Sequence, residues 1–509
     1  MTSTSTRERR SSRPVLIVSC LALATVVAAV ASLNVAIPSI AQQTHATQTQ
    51  LSWIIDAYAL VFAALLLPGG AIGDRFGRRR ALLVGLTIFG AGSAAAMTVT
   101  DPGWLIAMRA VLGVGAALVM PATLATVTSS FAKDDQQRAV GTWAGVAGAS
   151  AILGLLTSGV LLEMWSWRAV FGLNVVLAVL AIAATRRVIH ETVAPAGGRV
   201  DVGGALITVA GLGLLVYSVI EAPTEGWRSG RTLLGIGGGL VVLVGFVLWE
   251  RGHAHPMLDP RLFRNRAFSA AAVTITVQFL AFFGFIFLAL QYFQLVRKDS
   301  PLMAAVSLLP LPLAMMPCAR GIAPRLVKRA GRPRICTVGL TLMAAGLLVL
   351  GELDPSSSYW LVVAGLVPFG AGMGLAMTPA TSTITNALPD SQQGIGSAVN
   401  DLARELGGAL GIAVLASIMQ SAYRSHLRLT GVPSGLVEQI RSSPGVGMHV
   451  GGDVASRAAV AFTDGMQLAL RCGAAIAFVG AAAIVVLLHG SATEETRGAR
   501  ARSKPVVTR

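Results

Sequence analysis

Charge is what this chain has least of. Only 13% of its 509 residues are Asp, Glu, Lys or Arg, about half the share of a soluble domain. Acidic residues are the scarcer sign, 24 against 40 basic ones. With 54% hydrophobic residues and a mean hydropathy of +0.68, this scarcity excludes a soluble enzyme and a disordered chain. Cysteine is rare: Cys20, Cys318, Cys336 and Cys472 lie in or beside apolar stretches, with no CxxC or Cys/His spacing. A disulfide framework and a zinc site are therefore excluded. No G-x-x-x-x-G-K-[ST] loop, HExxH or G-x-S-x-G elbow occurs, so nucleotide-driven pumping and hydrolysis have no motif here. The short alternating segments of a membrane barrel are missing as well.

What the chain has instead is long apolar runs. Fourteen of them approach or exceed the roughly 20 residues needed to cross a bilayer. Six run approximately over 15–37, 51–72, 81–99, 104–129, 139–162 and 169–184. Two follow near 202–220 and 232–249, and six more near 267–293, 302–319, 335–350, 359–380, 395–419 and 466–488. The pattern predicts an all-α polytopic membrane protein of fourteen transmembrane helices, grouped six, two and six. An N-tail (1–13) precedes a six-helix bundle (14–187). A two-helix linker (188–266) leads to a second bundle (267–489) with a long outer loop (420–465). A C-tail (490–509) ends the chain. Pro310, Pro312 and Pro317 predict a kinked or broken tenth span.

The net charge of +16 invites a nucleic-acid reading, which the placement of the charges removes. With the N-terminus inside, inner segments hold 28 Lys/Arg and outer ones 9. That is the positive-inside bias of a multi-pass protein of the cytoplasmic membrane with both termini cytoplasmic. Arg7, Arg9, Arg10 and Arg13 then belong to the N-tail of a first span, not to a cleaved signal. Trp53, Trp104, Trp165, Trp167, Trp227 and Trp360 fall near outer ends, as an aromatic belt does. Lipid is the expected surround, and the chain reads as a monomer without nucleic-acid partners.

The string Gly70-Ala-Ile-Gly-Asp74-Arg75-Phe-Gly77-Arg78-Arg79-Arg80 joins spans two and three. Gly77 suits a tight turn of positive φ, and Gly70 and Gly73 suit close helix approach. Asp74 at the membrane edge calls for a cation or a helix N-terminus. Such a cluster can act as a conformational gate between bundles. A degenerate copy, Pro324-Arg325-Leu-Val-Lys328-Arg329-Ala-Gly331-Arg332, stands at the matching place in the second half. The complete G-x-x-x-D-R-x-G-R-R pattern resembles the signature loop of the major facilitator superfamily, and the repeated halves fit its internal symmetry. Asn34-Val-Ala-Ile-Pro38, Trp53-Ile-Ile-Asp56-Ala-Tyr58, Arg109-Ala-Val-Leu-Gly113 and Gly396-Ser-Ala-Val-Asn400-Asp401-Leu-Ala-Arg404-Glu405 resemble its fourteen-helix drug:proton antiporter branch. Ala29 stands where that branch has a helix-one aspartate, and Gly154-Leu155 where it has a Gly-Pro pair.

Ionisable residues inside spans are costly and therefore functional candidates. Asp56 sits about 8 Å below the outer end of span two at 1.5 Å per residue. Arg109 in span four and Asn34 in span one share that level. The expected arrangement is an Asp56–Arg109 pair in which the carboxylate stays ionised while paired and takes a proton when parted. Asp401, Arg404 and Glu405 on span thirteen share a face and form a second proton-coupling candidate. Trp53, Tyr58, Gln278 and Gln291 join Asn34 as candidates to line a substrate cavity. Glu163 and Glu221 read as solvated at outer helix ends.

What the resemblance implies is a secondary active transporter, not an enzyme. It would export bulky amphipathic drugs or antibiotics by alternating access and proton antiport, with the proton gradient in place of any cofactor. Two other readings stay open: an importer or facilitator of a small metabolite on the same fold, and a non-transporting membrane sensor.

Overall fold

The structure is a computed structural model. It describes residues 3–131, 133–192, 201–252, 259–386, 393–429 and 432–502. Fourteen helical spans, thirteen of them single helices and one broken, are long and apolar enough to cross a membrane, and no strand occurs among the described residues. The first bundle holds α1 (Ser3–Thr44), α2 (Gln48–Phe76), α3 (Arg78–Thr98), α4 (Pro102–Ser130), α5 (Lys133–Met164) and α6 (Arg168–Val188). The inserted pair is α7 (Val202–Glu225) and α8 (Gly230–Gly252). The second bundle opens with α9 (Arg266–Gln291). Its next span breaks at its prolines and a π turn (Cys318–Ile322) into α10 (Pro301–Ser307), α11 (Pro310–Pro317) and α12 (Ala323–Ala330). The break follows from the missing N–H and the ring clash of each proline. Helices α13 (Arg332–Leu350), α14 (Tyr359–Asn386), α15 (Gln393–His426) and α18 (Gly452–Arg502) complete it.

Each span starts or stops for a local reason. Thr47 and Gln50 form a capping box that opens α2, which satisfies two otherwise orphaned donors. Asp101 caps α4 through the Trp104 N–H, with Pro102 in its first turn. Gly77, at φ 110°, separates α2 from α3, and Gly331, at φ 82°, separates α12 from α13. Both halves thus make the same left-handed turn that only glycine adopts freely. The inner and outer ends named below follow the charge bias of the loops.

Small residues set helix spacing, since lipid supplies no hydrophobic drive between helices. A Cβ on Gly69 would run into the Ala117 carbonyl oxygen, whereas Gly70 and Gly73 have ordinary 3.5 Å contacts. The close α2–α4 approach is therefore at Gly69, one residue from the expected place. On α5, a Cβ at Gly154 would meet the Ala28 oxygen at 2.6 Å, while Gly141 and Gly145 face open space. The predicted outer loop is largely helical: α16 (Ser434–Ser442), α17 (Pro444–His449) and an early start of α18 at Gly452. Its α16–α17 portion is tied to α15 by Tyr423 Oη donating to the Ile440 carbonyl at 2.9 Å. Of the belt tryptophans, Trp104, Trp165 and Trp360 are exposed, but Trp167 is fully buried beneath Arg168 and edge-on to Phe171.

Candidate functional site

The two bundles meet closely at their outer end. Gln294 Nε2 donates to the Val35 carbonyl at 2.9 Å. Ser300 Oγ donates to the Glu163 carboxylate, so Glu163 links the bundles instead of facing water alone. A Cβ on Gly159 would lie 2.7 Å from Leu302 Cα, which lets α5 and α10 touch backbone to backbone. Gly445 of α17 lies against Ala41 of α1 and Leu295, capping the same seam. The two bundles are closed against each other at this end, which the charge bias of the loops marks as the outer one.

Below that closure lies a set of buried polar groups. Arg109, 1% exposed, donates its Nε to the Ile54 carbonyl at 2.8 Å and stacks its guanidinium 4.4 Å from the Tyr58 ring centroid. The expected Asp56–Arg109 pair is not formed. Asp56 and Tyr58 are two residues apart on α2, so they point about 160° apart at 100° per residue. Arg109 takes the Tyr58 side. Both Asp56 carboxylate oxygens are buried without a hydrogen-bond partner.

On the facing bundle, Asp401 and Arg404 pair at 3.6 Å, and Arg404 lies 4.8 Å from the Phe279 ring centroid. Phe279, Phe282 and Phe283 form one aromatic cluster. Glu405 is half-buried one position beyond Arg404, and α15 packs against α2, which carries Tyr58, across the bundle interface. The Asp401/Arg404/Glu405 face and the Tyr58/Arg109 face therefore meet across the bundle interface. The Tyr58 hydroxyl, the Asn34 carbonyl and both Gln278 amide atoms are buried without partners, as is Arg109 Nη2. Native proteins leave few such atoms, and clusters of them mark places where water or ligand belongs. Gln291 is different: its amide is spent on the Phe287 carbonyl of its own helix at 3.2 Å. Trp53 also departs from expectation. It packs against Tyr217 of the inserted helix α7, with 6.0 Å between centroids and ring planes inclined by 43°, and not on the face of Tyr58.

The hairpin between α2 and α3 is the second element. Arg78 donates to Asp74 through Nε at 3.1 Å and Nη2 at 3.0 Å, and to the Ala125 carbonyl through Nη1 at 2.9 Å. These partners all belong to the first bundle. Arg75 is exposed beside Phe76. Arg79 donates to the Arg186 carbonyl and, through its backbone N–H, to Glu191 at 3.1 Å. Glu191 also lies 3.7 Å from Arg80, and Arg78 N–H donates to the Thr192 carbonyl. The linker's first residues thus cap the α3 N-terminus, which has no side-chain cap of its own. Glu191 was invisible in the sequence because it sits 112 residues from its partner. Glu191→Ala removes this cap, worth about 1 kcal/mol. That is roughly a fivefold shift between two conformers. Slower cycling at normal abundance is expected, with Glu191→Gln retaining more activity than Ala. Turnover unchanged by Glu191→Ala in proteoliposomes would show that the cap is incidental.

The major facilitator superfamily sequence profile matches residues 19–412. The chain belongs to that superfamily. Among its curated relatives, the multidrug resistance protein Stp of Mycobacterium tuberculosis is 32% identical over 434 residues, covering 83% of this chain and 80% of its own. The puromycin resistance protein pur8 of Streptomyces alboniger is 34% identical over 400 residues, covering 77% and 79%. The fold agrees with solved facilitator structures. The POT family transporter PepTSo superposes with a TM-score of 0.64 at 14% identity, covering 94% of this chain and 98% of its own. Membership accounts for the repeated glycine turns, the two bundles and the inner hairpin, and it makes the protein a multi-pass membrane transporter, not an enzyme.

Proposed function

We propose that this facilitator exports bulky amphipathic compounds, drugs or antibiotics, in exchange for protons. The observation that carries the reading is the enclosed polar set between the bundles: Tyr58 and Arg109 on one side, Asp401, Arg404, Glu405 and Phe279 on the other, beneath a closed outer end. Aromatic rings and a carboxylate suit a molecule with an apolar body and a cationic end. Relatives named for drug resistance support export. Proton coupling rests on Asp56, with the Asp401/Glu405 pair as the second carrier. The Asp74–Arg78 hairpin is the inner gate, with Gly70, Arg75, Gly77 and Arg79 as its frame. The charge bias supports the cytoplasmic membrane with both termini inside. The protein acts as a monomer, surrounded by lipid, without a resident cofactor and with the proton gradient as its energy source.

The test is transport by purified protein in proteoliposomes with an imposed pH gradient. A lipophilic cation such as tetraphenylphosphonium should move against the proton flux. Glu405→Gln should weaken its binding about tenfold, the equivalent of 1.4 kcal/mol, and leave a neutral amphipath unaffected. Equal loss for both probes would remove Glu405 from the substrate site. Movement of the cation together with protons would replace export by import.

A further inference from the structure

The inserted pair is not merely a spacer between bundles. Helix α8 is mostly exposed toward lipid, but α7 is wedged into the seam between α2 and α15. Ser417 Oγ donates to the Val219 carbonyl at 2.7 Å, and Trp227 Nε1 donates to Ser421 Oγ at 2.8 Å. On the α2 side, Leu60 clusters with Leu212, Val216, Val219 and Ile220 of α7 and with Ala413 of α15. Tyr217 packs against Trp53. Trp53, Asp56 and Leu60 are spaced i, i+3, i+7, which puts all three on one stripe of α2. Asp56 therefore lies between two residues that α7 covers.

Near the outer end of α7, Glu221 is half-buried and stands four residues, about one turn, beyond Tyr217, whose ring meets Trp53. It is not the freely solvated helix-end acid that its position suggests. Trp53 and Asp56 are three residues apart, about 4.5 Å along the axis at 1.5 Å per residue. Glu221 thus stands at the outer end of the α7 face that covers a buried carboxylate with no partner. The charged neighbour on its own helix is Glu225, which pairs with Arg231 at 3.4 Å. From α2, Trp53 packs on this face of α7, and the α15 groups bonded to α7 are the neutral Ser417 and Ser421.

We propose that Glu221 is the outer proton port of this transporter, passing protons from the outside along the α2–α7 seam to Asp56. The proposal rests on proton antiport as the function and adds a residue and a route to it. The route follows from direction. Asp56 points away from Tyr58 and Arg109, so parting the bundles at the Tyr58 face does not by itself uncover it. The seam under α7 does reach it, and Glu221 stands at the outer mouth of that seam. The step is a proton transfer between two carboxylates: Glu221 takes a proton from outside water, and Asp56 receives it through intervening water as Glu221 is freed to load again. Trp53, packed on Tyr217 one turn below Glu221, borders the route, which makes Trp53 a positioning residue.

Two transport modes separate this role from a structural one. Proton-driven movement of tetraphenylphosphonium requires proton turnover, and exchange of labelled for unlabelled tetraphenylphosphonium across the membrane does not. Glu221→Gln should slow driven transport about tenfold and leave exchange at the wild-type rate. Acidifying the outside should restore much of the driven rate in Glu221→Gln but none in Asp56→Asn. Trp53→Phe, which keeps the ring on Tyr217, should give a smaller loss of the same kind. Equal falls in both modes for Glu221→Gln, or no fall in either, would overturn the port. Wild-type protein that exchanges substrate but ignores the pH gradient would overturn antiport itself, a separate outcome read in the same assay.

Discussion

Asp56→Asn is expected to abolish uphill efflux while leaving the protein folded and at least as stable as the wild type. The two halves of that expectation have different causes. Under the proposed antiport, transport should fail because an amide does not carry a proton between the two sides, and Ala29 leaves no acid in the first span to take over. Stability holds because Asp56 is fully buried and neither carboxylate oxygen has a hydrogen-bond partner. An unpaired buried carboxylate costs free energy that an amide of the same volume largely avoids. Had Asp56 been bonded to Arg109, the same substitution would have left a buried cation stranded, a loss of several kcal/mol. The structure reverses that sign, since Arg109 is held by the Ile54 carbonyl and the Tyr58 ring. Thermal unfolding in detergent, followed beside proton-driven efflux in proteoliposomes, checks both halves. Wild-type uphill efflux by Asp56→Asn would move the carrier to Glu405. A marked fall in Tm would show that Asp56 has a partner in the folded protein.

The contrast between depth and direction explains what the sequence could tell. Depth along a span is a count of residues, so the fourteen helices and the break at Pro310, Pro312 and Pro317 were readable. So was the common level of Asp56 and Arg109. The glycine turns at Gly77 and Gly331 were readable for the same reason: a local backbone need is written in one residue. Direction around a helix depends on where the neighbouring helices stand, and no local pattern records that. Asp56 and Tyr58 differ by two positions and end on opposite sides of α2. Trp53 looked like a cavity residue and packs on the inserted helix. Trp167 looked like a belt residue and is buried under Arg168. Glu163 and Glu191 looked solvated or unremarkable, and each meets a partner far away in the chain; Glu221 looked solvated and is half-buried. The signal available for Glu191 was weak: an acid three residues beyond the basic end of α6. Only the fold brings it to the N-terminus of α3.

Gly159→Leu is expected to stop transport by holding the outer end open. Gly159 of α5 faces α10 of the other bundle, and a Cβ there would sit 2.7 Å from Leu302 Cα and 3.1 Å from its nitrogen. Both are backbone atoms, so no rotamer change relieves the clash. The helices must separate, and the nearby Ser300–Glu163 bond must break with them. Overpacking of this kind costs about 1–3 kcal/mol in a closed core. Here the cost falls only on the closed conformer, so it shifts the open–closed balance by roughly 5–150-fold. Each bundle keeps its own packing, and the variant should be made and inserted at normal levels. Gly141→Leu and Gly145→Leu are the controls, because both positions face open space on the same helix. Spin labels on the exposed outer residues Gln42 and Pro355, one on each bundle, report the separation. Gly159→Leu should lengthen the distance between them and stop turnover, and the controls should leave both near wild type. An unchanged distance with unchanged turnover would mean that α5 and α10 do not form the outer seal. A lengthened distance with normal turnover would mean that closure at this seam is not a step of the cycle.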